Sequence, residues 1–399
     1  MALTLKERKA VSKETFKRYQ KARKKEKTKI LDEYVALTGY TRHHAAQVLA
    51  RWGKRSPPKY TRCKPPVYDY KVFQALRKVW IVCDCICGKR LAPYLKEIVP
   101  VLISYGELVV DDDTRDKLVR ISAATIDRLL APERAKYVLK PRSAPVFSLM
   151  NRIPVKTFSE WDKTEPGHEQ VDLVEHNGGV TKGEYANTVV LTDVCTSWTQ
   201  MQAVRNKAQV WVFNALKTEI DEVPFDVVGL HSDGGKEFIN NHLKEYCEDK
   251  GIAFTHSRLY KKNDNCYVEQ RNGNIIRRTV GYARYSGERE VKLLNELYAS
   301  LKLYVNFFQP VMRLDEKTRL GSKVKKRYDT AKTPYQRVLE CEEIDDSVKK
   351  ALRKMYCTFN PAELKREITR CQEKLLKYAA RRRGMSKHEM DKQLISGRI

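Results

Sequence analysis

Val227-Val228-Gly229-Leu230-His231-Ser232-Asp233-Gly234-Gly235-Lys236-Glu237-Phe238 is an apolar, β-branched run that stops at Ser-Asp-Gly-Gly and passes into a helix-like pattern from Lys236. It predicts strand, tight turn and helix, with Asp233 at the carboxyl end of the strand. Downstream stands Lys262-Asn263-Asp264-Asn265-Cys266-Tyr267-Val268-Glu269-Gln270-Arg271-Asn272. Asp264 or Asn265 is placed to cap a helix that carries Glu269 in its first turns, with Ile276 seven residues on, on the same face. Thirty-five residues separate Asp233 from Glu269. Upstream, Asp172 supplies a third acid inside the strand-like Glu169-Gln170-Val171-Asp172-Leu173-Val174.

Three carboxylates from two strands and one helix suit a magnesium site. Mg²⁺ takes oxygen ligands and keeps several waters, so few carboxylates need to converge on it. Two such ions can clamp the attacking and leaving oxygens of a phosphodiester. Without metal, the acids would repel one another and raise each other's pKa. Asp193, in the strand-like Thr188–Val194, competes for a catalytic slot, and a strand-end or turn role is preferred for it.

The pattern of Asp172, Asp233 and Glu269 resembles the DDE catalytic core of insertion-sequence transposases and retroviral-type integrases. The wording His231-Ser232-Asp233-Gly234-Gly235-Lys236-Glu237-Phe238-Ile239-Asn240, then Tyr260–Asn265 and Val268-Glu269-Gln270, carries the resemblance, which spans Ile153 to Leu339. Cys266 stands where bacterial relatives usually carry a small apolar residue, and Gly273 where many carry a large aromatic. The resemblance implies an α/β RNase H-like catalytic core, a mixed five-stranded sheet with flanking helices, preceded by all-α helix-turn-helix DNA-binding domains. It further implies two Mg²⁺ ions, with Mn²⁺ able to substitute. Asp172 and Asp233 would share the ions and Glu269 would complete the second site. Asn265 and Gln270 would position the ion shell or terminal phosphate, and Lys262 would contact DNA. The activity implied is DNA cleavage and strand transfer at transposon ends, by at least a dimer on double-stranded DNA.

Composition sets the outer bounds. The 399 residues allow two to four domains, and 42% apolar content supports sizeable cores. No run approaches the length of a membrane span, and the basic opening lacks the apolar stretch of a secretory signal. The expectation is a cytoplasmic, nucleoid-associated protein without membrane contact. Ten scattered cysteines suggest reduced thiols, and Cys83, Cys85 and Cys87 lack metal-site spacing and sit in a segment expected to be helical core. His43, His44 and Cys63 do not reproduce a zinc module, so no structural zinc is expected.

The net charge of +27 is uneven: residues 1–66 carry +14, 67–154 carry +5, 155–309 carry −3 and 310–399 carry +11. Basic arms around a near-neutral core suit a polyanion, because phosphate neutralisation by Lys and Arg supplies sequence-independent DNA affinity.

Seven segments follow in order. Residues 1–53 form a basic arm and a helix-turn-helix, with 3–27 expected as a solvated helix or arm. In this pair Thr41 caps the second helix after Gly39, and Thr41, Arg42, His43, His44 and Gln47 face DNA. A Pro-rich linker fills 54–66. A second helical unit spans 67–139, where Asp113 and Ser122 are capping candidates and Ser122, Ala123, Thr125 and Arg128 are exposed. Another linker covers 140–158. The core, 159–309, should hold strands Gln170–His176, Tyr185–Val194, Trp198–Val204, Asp226–Leu230 and Ile252–His256. Its helices should be Lys207–Ile220, Lys236–Lys250, Glu269 to about Arg284, and Val291–Phe307. Residues 310–345 read as a basic extended segment on the DNA backbone. In the tail, 346–399, Leu364, Ile368, Cys371 and Leu375 form an apolar stripe for either a second protomer or the chain's own core.

Two other functions fit the same residues: a DNA-binding regulator whose integrase-like core is inactive, and a metal-dependent nuclease that cuts without joining.

Overall fold

The computed structural model describes residues 3–52, 67–136, 165–233, 235, 237–238, 241–257, 265–320 and 323–382. Both linkers, 54–66 and 140–158, lie outside the described residues, as do Lys262, Asp264 and the tail beyond Arg382. The chain divides into two compact units, Met1–Val67 and Tyr68–Ile399.

The described residues of the first unit form three helices: α1 (Leu5–Lys21), α2 (Lys24–Thr38) and α3 (Arg42–Arg51). A capping box starts α1, with the Thr4 hydroxyl accepting from Glu7 N and the Glu7 carboxylate accepting from Thr4 N at 2.7 Å. Gly39, at φ +68°, ends α2 in the left-handed region that glycine enters without strain. Thr41 caps α3 by accepting from His44 N. Leu31, Tyr34, Ala45 and Leu49 form the core, and Val11, Phe16 and Tyr19 of α1 pack on it. The basic opening is therefore not a free arm. Its apolar side is half-buried, and Ser12 Oγ lies 2.5 Å from Tyr34 Oη.

The second unit is built on a five-stranded mixed sheet of order β3-β2-β1-β4-β5. The strands are β1 (His168–Glu175), β2 (Asn187–Asp193), β3 (Thr199–Val204), β4 (Gly229–Ser232) and β5 (Ala253–His256). β1–β2 and β2–β3 pair antiparallel, whereas β1–β4 and β4–β5 pair parallel. Every residue of β2 is buried, because the sheet is covered on both sides and needs no polar face. On one side Val171, Val189 and Leu191 pack with Val212, Leu216, Leu243 and Cys247 of α8 (Gln209–Asp221) and α9 (Asn241–Asp249). On the other, Val174, Val190 and Met201 pack with Val268, Ile276, Leu297 and Leu301. That layer comes from α10 (Cys266–Arg271), a π-helical turn Asn272–Arg277, α11 (Arg278–Val280) and α12 (Glu288–Phe308).

Four helices precede the sheet: α4 (Tyr70–Val82), α5 (Gly88–Ser104), α6 (Asp112–Arg120) and α7 (Ala123–Ala135). They share a core with α12, and Tyr304 Oη donates to Val82 O at 2.5 Å while Arg90 Nε donates to Pro310 O at 2.6 Å. Asp111, not Asp113, caps α6, and Ser122 caps α7. Cys83, Cys85 and Cys87 occupy the α4–α5 turn rather than a helix, ranging from buried to exposed.

Four further expectations shift. The fourth strand begins at Gly229 rather than Asp226, and the helix after it begins at Asn241 rather than Lys236. The helix through Glu269 is not continuous to Arg284; it widens into the π-helical turn and stops at Gly281, whose φ is +70°. Residues 310–345 are not simply extended: β6 (Leu314–Leu320) and β7 (Lys323–Tyr328) pair as an antiparallel ribbon, followed by α13 (Pro334–Glu340).

The chain ends in α14 (Asp346–Tyr356) and α15 (Pro361–Arg382). Ile368, Cys371 and Leu375 of α15 are buried in the same core as α12, with Leu364 packed against it. The apolar stripe thus packs against its own chain. Among the described residues, no helix is long and apolar enough to cross a membrane.

Candidate active site

The parallel pairing of β1 with β4 sets the site. Gln170 stands opposite His231 and Val171 opposite Ser232, so one further step places Asp172 beside Asp233. Asp233 directly follows the carboxyl end of β4, where open α/β sheets form crevices, and Asp172 lies midway along β1.

α10 is fastened to β1 by side chains that reach across the chain rather than by a local cap. Asn265 immediately precedes the helix but makes no side-chain cap bond. Instead the Gln170 carbonyl accepts from Tyr267 N at 2.9 Å and Val268 N at 3.3 Å, acting as a cap supplied from the sheet. Asn265 Nδ2 donates to Val171 O at 3.1 Å. At the far end, buried Arg271 donates to Ser197 O at 3.0 Å, and burial with Arg90 and Arg337 nearby pulls its pKa down to about 9. The first residue of the π-helical turn closes the frame, with Asn272 Nδ2 donating to Asp172 Oδ2 at 2.6 Å.

Asp172 Oδ1 also accepts from Leu173 N at 2.8 Å. Burial raises the Asp172 pKa well above the usual range, and the charges of Asp233, Glu269 and Glu237 push in the same direction. Asp233 is raised to about 6, first by burial and then by Glu237, against the lowering effect of the Gly235 N–H donated to it at 3.1 Å. Hence Asp172, Asp233 and Glu269 share one electrostatic neighbourhood. Glu237 is a fourth acid there, and the sequence reading passed over it because it lies on the expected helix. Glu269 and Gln270 are exposed, whereas Asn265 is buried.

Among the described residues, no three His, Cys, Asp or Glu side chains are gathered closely enough to hold a metal ion. The acids are thus neighbours in charge without forming a closed cage. Asp193 is placed differently from the trio: it is fully buried and accepts from Thr196 N, Thr196 Oγ1 and Gly167 N, which is the work of a turn-former.

The other candidates are distributed elsewhere. Thr41, Arg42, His43, His44 and Gln47 are all exposed on α3 and its cap; Arg42 pairs with Asp32, and His43 Nε2 meets Gln47 Nε2 at 2.9 Å. Ser122 and Arg128 are exposed at α7, with Ala123 and Thr125 half-buried.

Residues 162–262 match the family model described as Integrase core domain. Over 324 residues the chain is 39% identical to the uncharacterized protein y4rM of Sinorhizobium fredii, an alignment covering 81% of this chain and 92% of that one. The chain belongs to the superfamily of insertion-sequence transposases and retroviral integrases. Solved structures similar to this integrase-core chain include the catalytic core domain of BIV integrase, at 18% identity and a TM-score of 0.30, covering 44% of this chain and 95% of that one. The HTLV-2 integrase catalytic core domain in complex with magnesium is similar at 15% identity and a TM-score of 0.29, covering 38% and 93%.

Proposed function

We propose that the chain is a DNA transposase that binds transposon ends and carries out metal-dependent cleavage and strand transfer through Asp172, Asp233 and Glu269. The observation that carries this reading is the placement of Asp172 beside Asp233 on adjacent parallel strands, with the charges of Asp233 and Glu269 both acting on Asp172, inside a chain of the integrase superfamily.

The donor set fits magnesium. It is all oxygen, burial and neighbouring acids raise the pKa values of Asp172 and Asp233, and among the described residues the buried Oδ1 atoms of Asn265 and Asn272 have no hydrogen-bond partner. Asp172, Asp233 and Glu269 would hold two Mg²⁺ ions, for which Mn²⁺ may substitute. Bound metal supplies Lewis-acid stabilisation of charge on the phosphodiester oxygens.

The protein's own part is positional. Gln170 and Asn265 lock the Glu269 helix to the strand bearing Asp172, while Asn272 and Leu173 N orient the Asp172 carboxylate. Asn265 and Gln270 flank the acids, where a terminal phosphate would sit, and Lys262 is a candidate DNA contact. The exposed faces of α3 (Thr41, Arg42, His43, Gln47) and α7 (Ser122, Thr125, Arg128) are the candidate helix-turn-helix surfaces for the ends of the element. Pairing two ends calls for at least a dimer on DNA.

The test is a nicking assay on end duplexes with Mg²⁺ or Mn²⁺. Asp172→Ala, Asp233→Ala and Glu269→Ala should each abolish nicking while duplex binding persists, since a lost ligand removes several kcal/mol of charge stabilisation. Wild-type nicking by Glu269→Ala would refute the assignment. Strand-transfer products separate a transposase from a nuclease that only cuts.

A further inference from the structure

We infer that the β6–β7 ribbon is a DNA-binding arm that enters a groove of duplex DNA next to the acidic site. The inference rests on the DNA-processing function proposed above and assigns a surface that the function did not use.

The ribbon has a firm root and a charged outer part. At the root, Arg313 N donates to Asp329 Oδ1 at 2.6 Å, Arg337 pairs with Asp329 at 2.8 Å, and Arg337 Nη2 donates to Val311 O at 3.0 Å. Arg327 pairs with Asp315 at 2.7 Å. The acids of the hairpin, Asp315 and Glu316, are both engaged there by Arg327. Beyond them, residues 317–326 contain five Lys or Arg and no acid.

The described side chains of this outer part are exposed. Val324, Lys325, Lys326, Arg327 and Tyr328 are all exposed, Val324 at 46% and Tyr328 at 47%. A lone two-stranded hairpin is marginal in water. The register places Lys326 opposite residue 317. Lys325, opposite Thr318, falls on the other face. Basic positions on both faces suit a ribbon lying between two phosphate walls better than one lying flat on a surface. The major groove of B-DNA admits a two-stranded ribbon, and six or seven residues per strand give a reach of about 20 Å.

The root ties this arm to the site. Arg313 donates to Cys195 O and Arg271 of α10 donates to Ser197 O, so ribbon and Glu269 helix grip the same β2–β3 turn. DNA bound by the arm is thereby held near the acids.

The experiment uses the full chain with Lys325→Gln and Lys326→Gln combined, and the charge reversal Lys325→Glu with Lys326→Glu. Affinity for a mixed-sequence DNA duplex is measured across a salt series, with duplex RNA in parallel. Two lost phosphate contacts should flatten the log–log salt slope by about 1.8, with the charge reversal weakening binding further. The melting temperature should be unchanged, because both side chains are exposed. An unchanged slope and affinity for DNA would overturn the arm, as would a loss confined to RNA. Mg²⁺-dependent nicking of the same duplex is recorded alongside. Wild-type protein that binds duplex but never nicks it would count against the transposase reading while leaving the arm standing.

Discussion

Asn272 donates its side-chain amide to the Asp172 carboxylate at 2.6 Å, tying the π-helical turn behind Glu269 to the central strand of the sheet. π-helical turns inside helices recur at functional sites. Here the turn brings a side chain three positions beyond Glu269 onto the second acid. Replacing Asn272 by Ala should weaken Mg²⁺ binding and slow nicking about ten- to a hundredfold, the scale of one hydrogen bond to a charged group. The measurement is the Mg²⁺ concentration dependence of nicking. Unchanged rate and unchanged half-saturation would sink this role.

The acids also predict how metal and pH interact. Asp233 is raised from 3.8 to about 6, so the folded chain holds its proton more tightly than the unfolded one. Its contribution to stability is therefore present below 3.8 and lost as pH rises through about 6. A metal ion competes with that proton. Added Mg²⁺ should raise the melting temperature progressively as pH climbs through about 6, and Asp233→Asn should erase the effect. A Mg²⁺ shift of equal size on both sides of that pH would contradict the site.

A second acidic pair lies beneath the opposite face of the sheet. Glu169 on β1 and Glu219 on α8 are fully buried, and none of their four carboxylate oxygens has a hydrogen-bond partner among the described residues. Burial, then Asp193 and Glu219, raise the Glu169 pKa well above 4.5. The stability it lends is complete below that unfolded value and falls away as pH rises above it. Glu169→Gln keeps the shape and removes the ionisation, so its melting temperature should gain on wild type increasingly as pH rises. A gain that shrinks with pH would disprove the sign.

For the tail, the sequence left two outcomes open, and burial of Ile368, Cys371 and Leu375 against α12 favours internal packing. Ile368→Ala should cost about 2–5 kcal/mol of unfolding free energy, measured by urea denaturation. Light scattering on paired end duplexes should show that Ile368→Ala leaves complex stoichiometry unchanged. Loss of the two-end complex without loss of stability would restore the interface role.

The sequence by itself determined the local facts. Alternating and apolar runs marked all five strands, and Thr41 and Ser122 marked their helix starts, because each depends on neighbours a few residues away. The strand limits were off by a few residues where burial on both faces removed the alternation, as around Gly229. Only the tertiary structure decided what depends on distant partners. Gln170 and Tyr267 are 97 residues apart and Asn272 and Asp172 are 100, so neither bond leaves a local signal. The same holds for the tail: a helical stripe shows that one face is buried, but only the fold supplies α12 as the surface that buries it. The ribbon at 314–328 was hidden for the opposite reason, since its lysines mask the strand pattern and its pairing is fixed only once the root closes on α13.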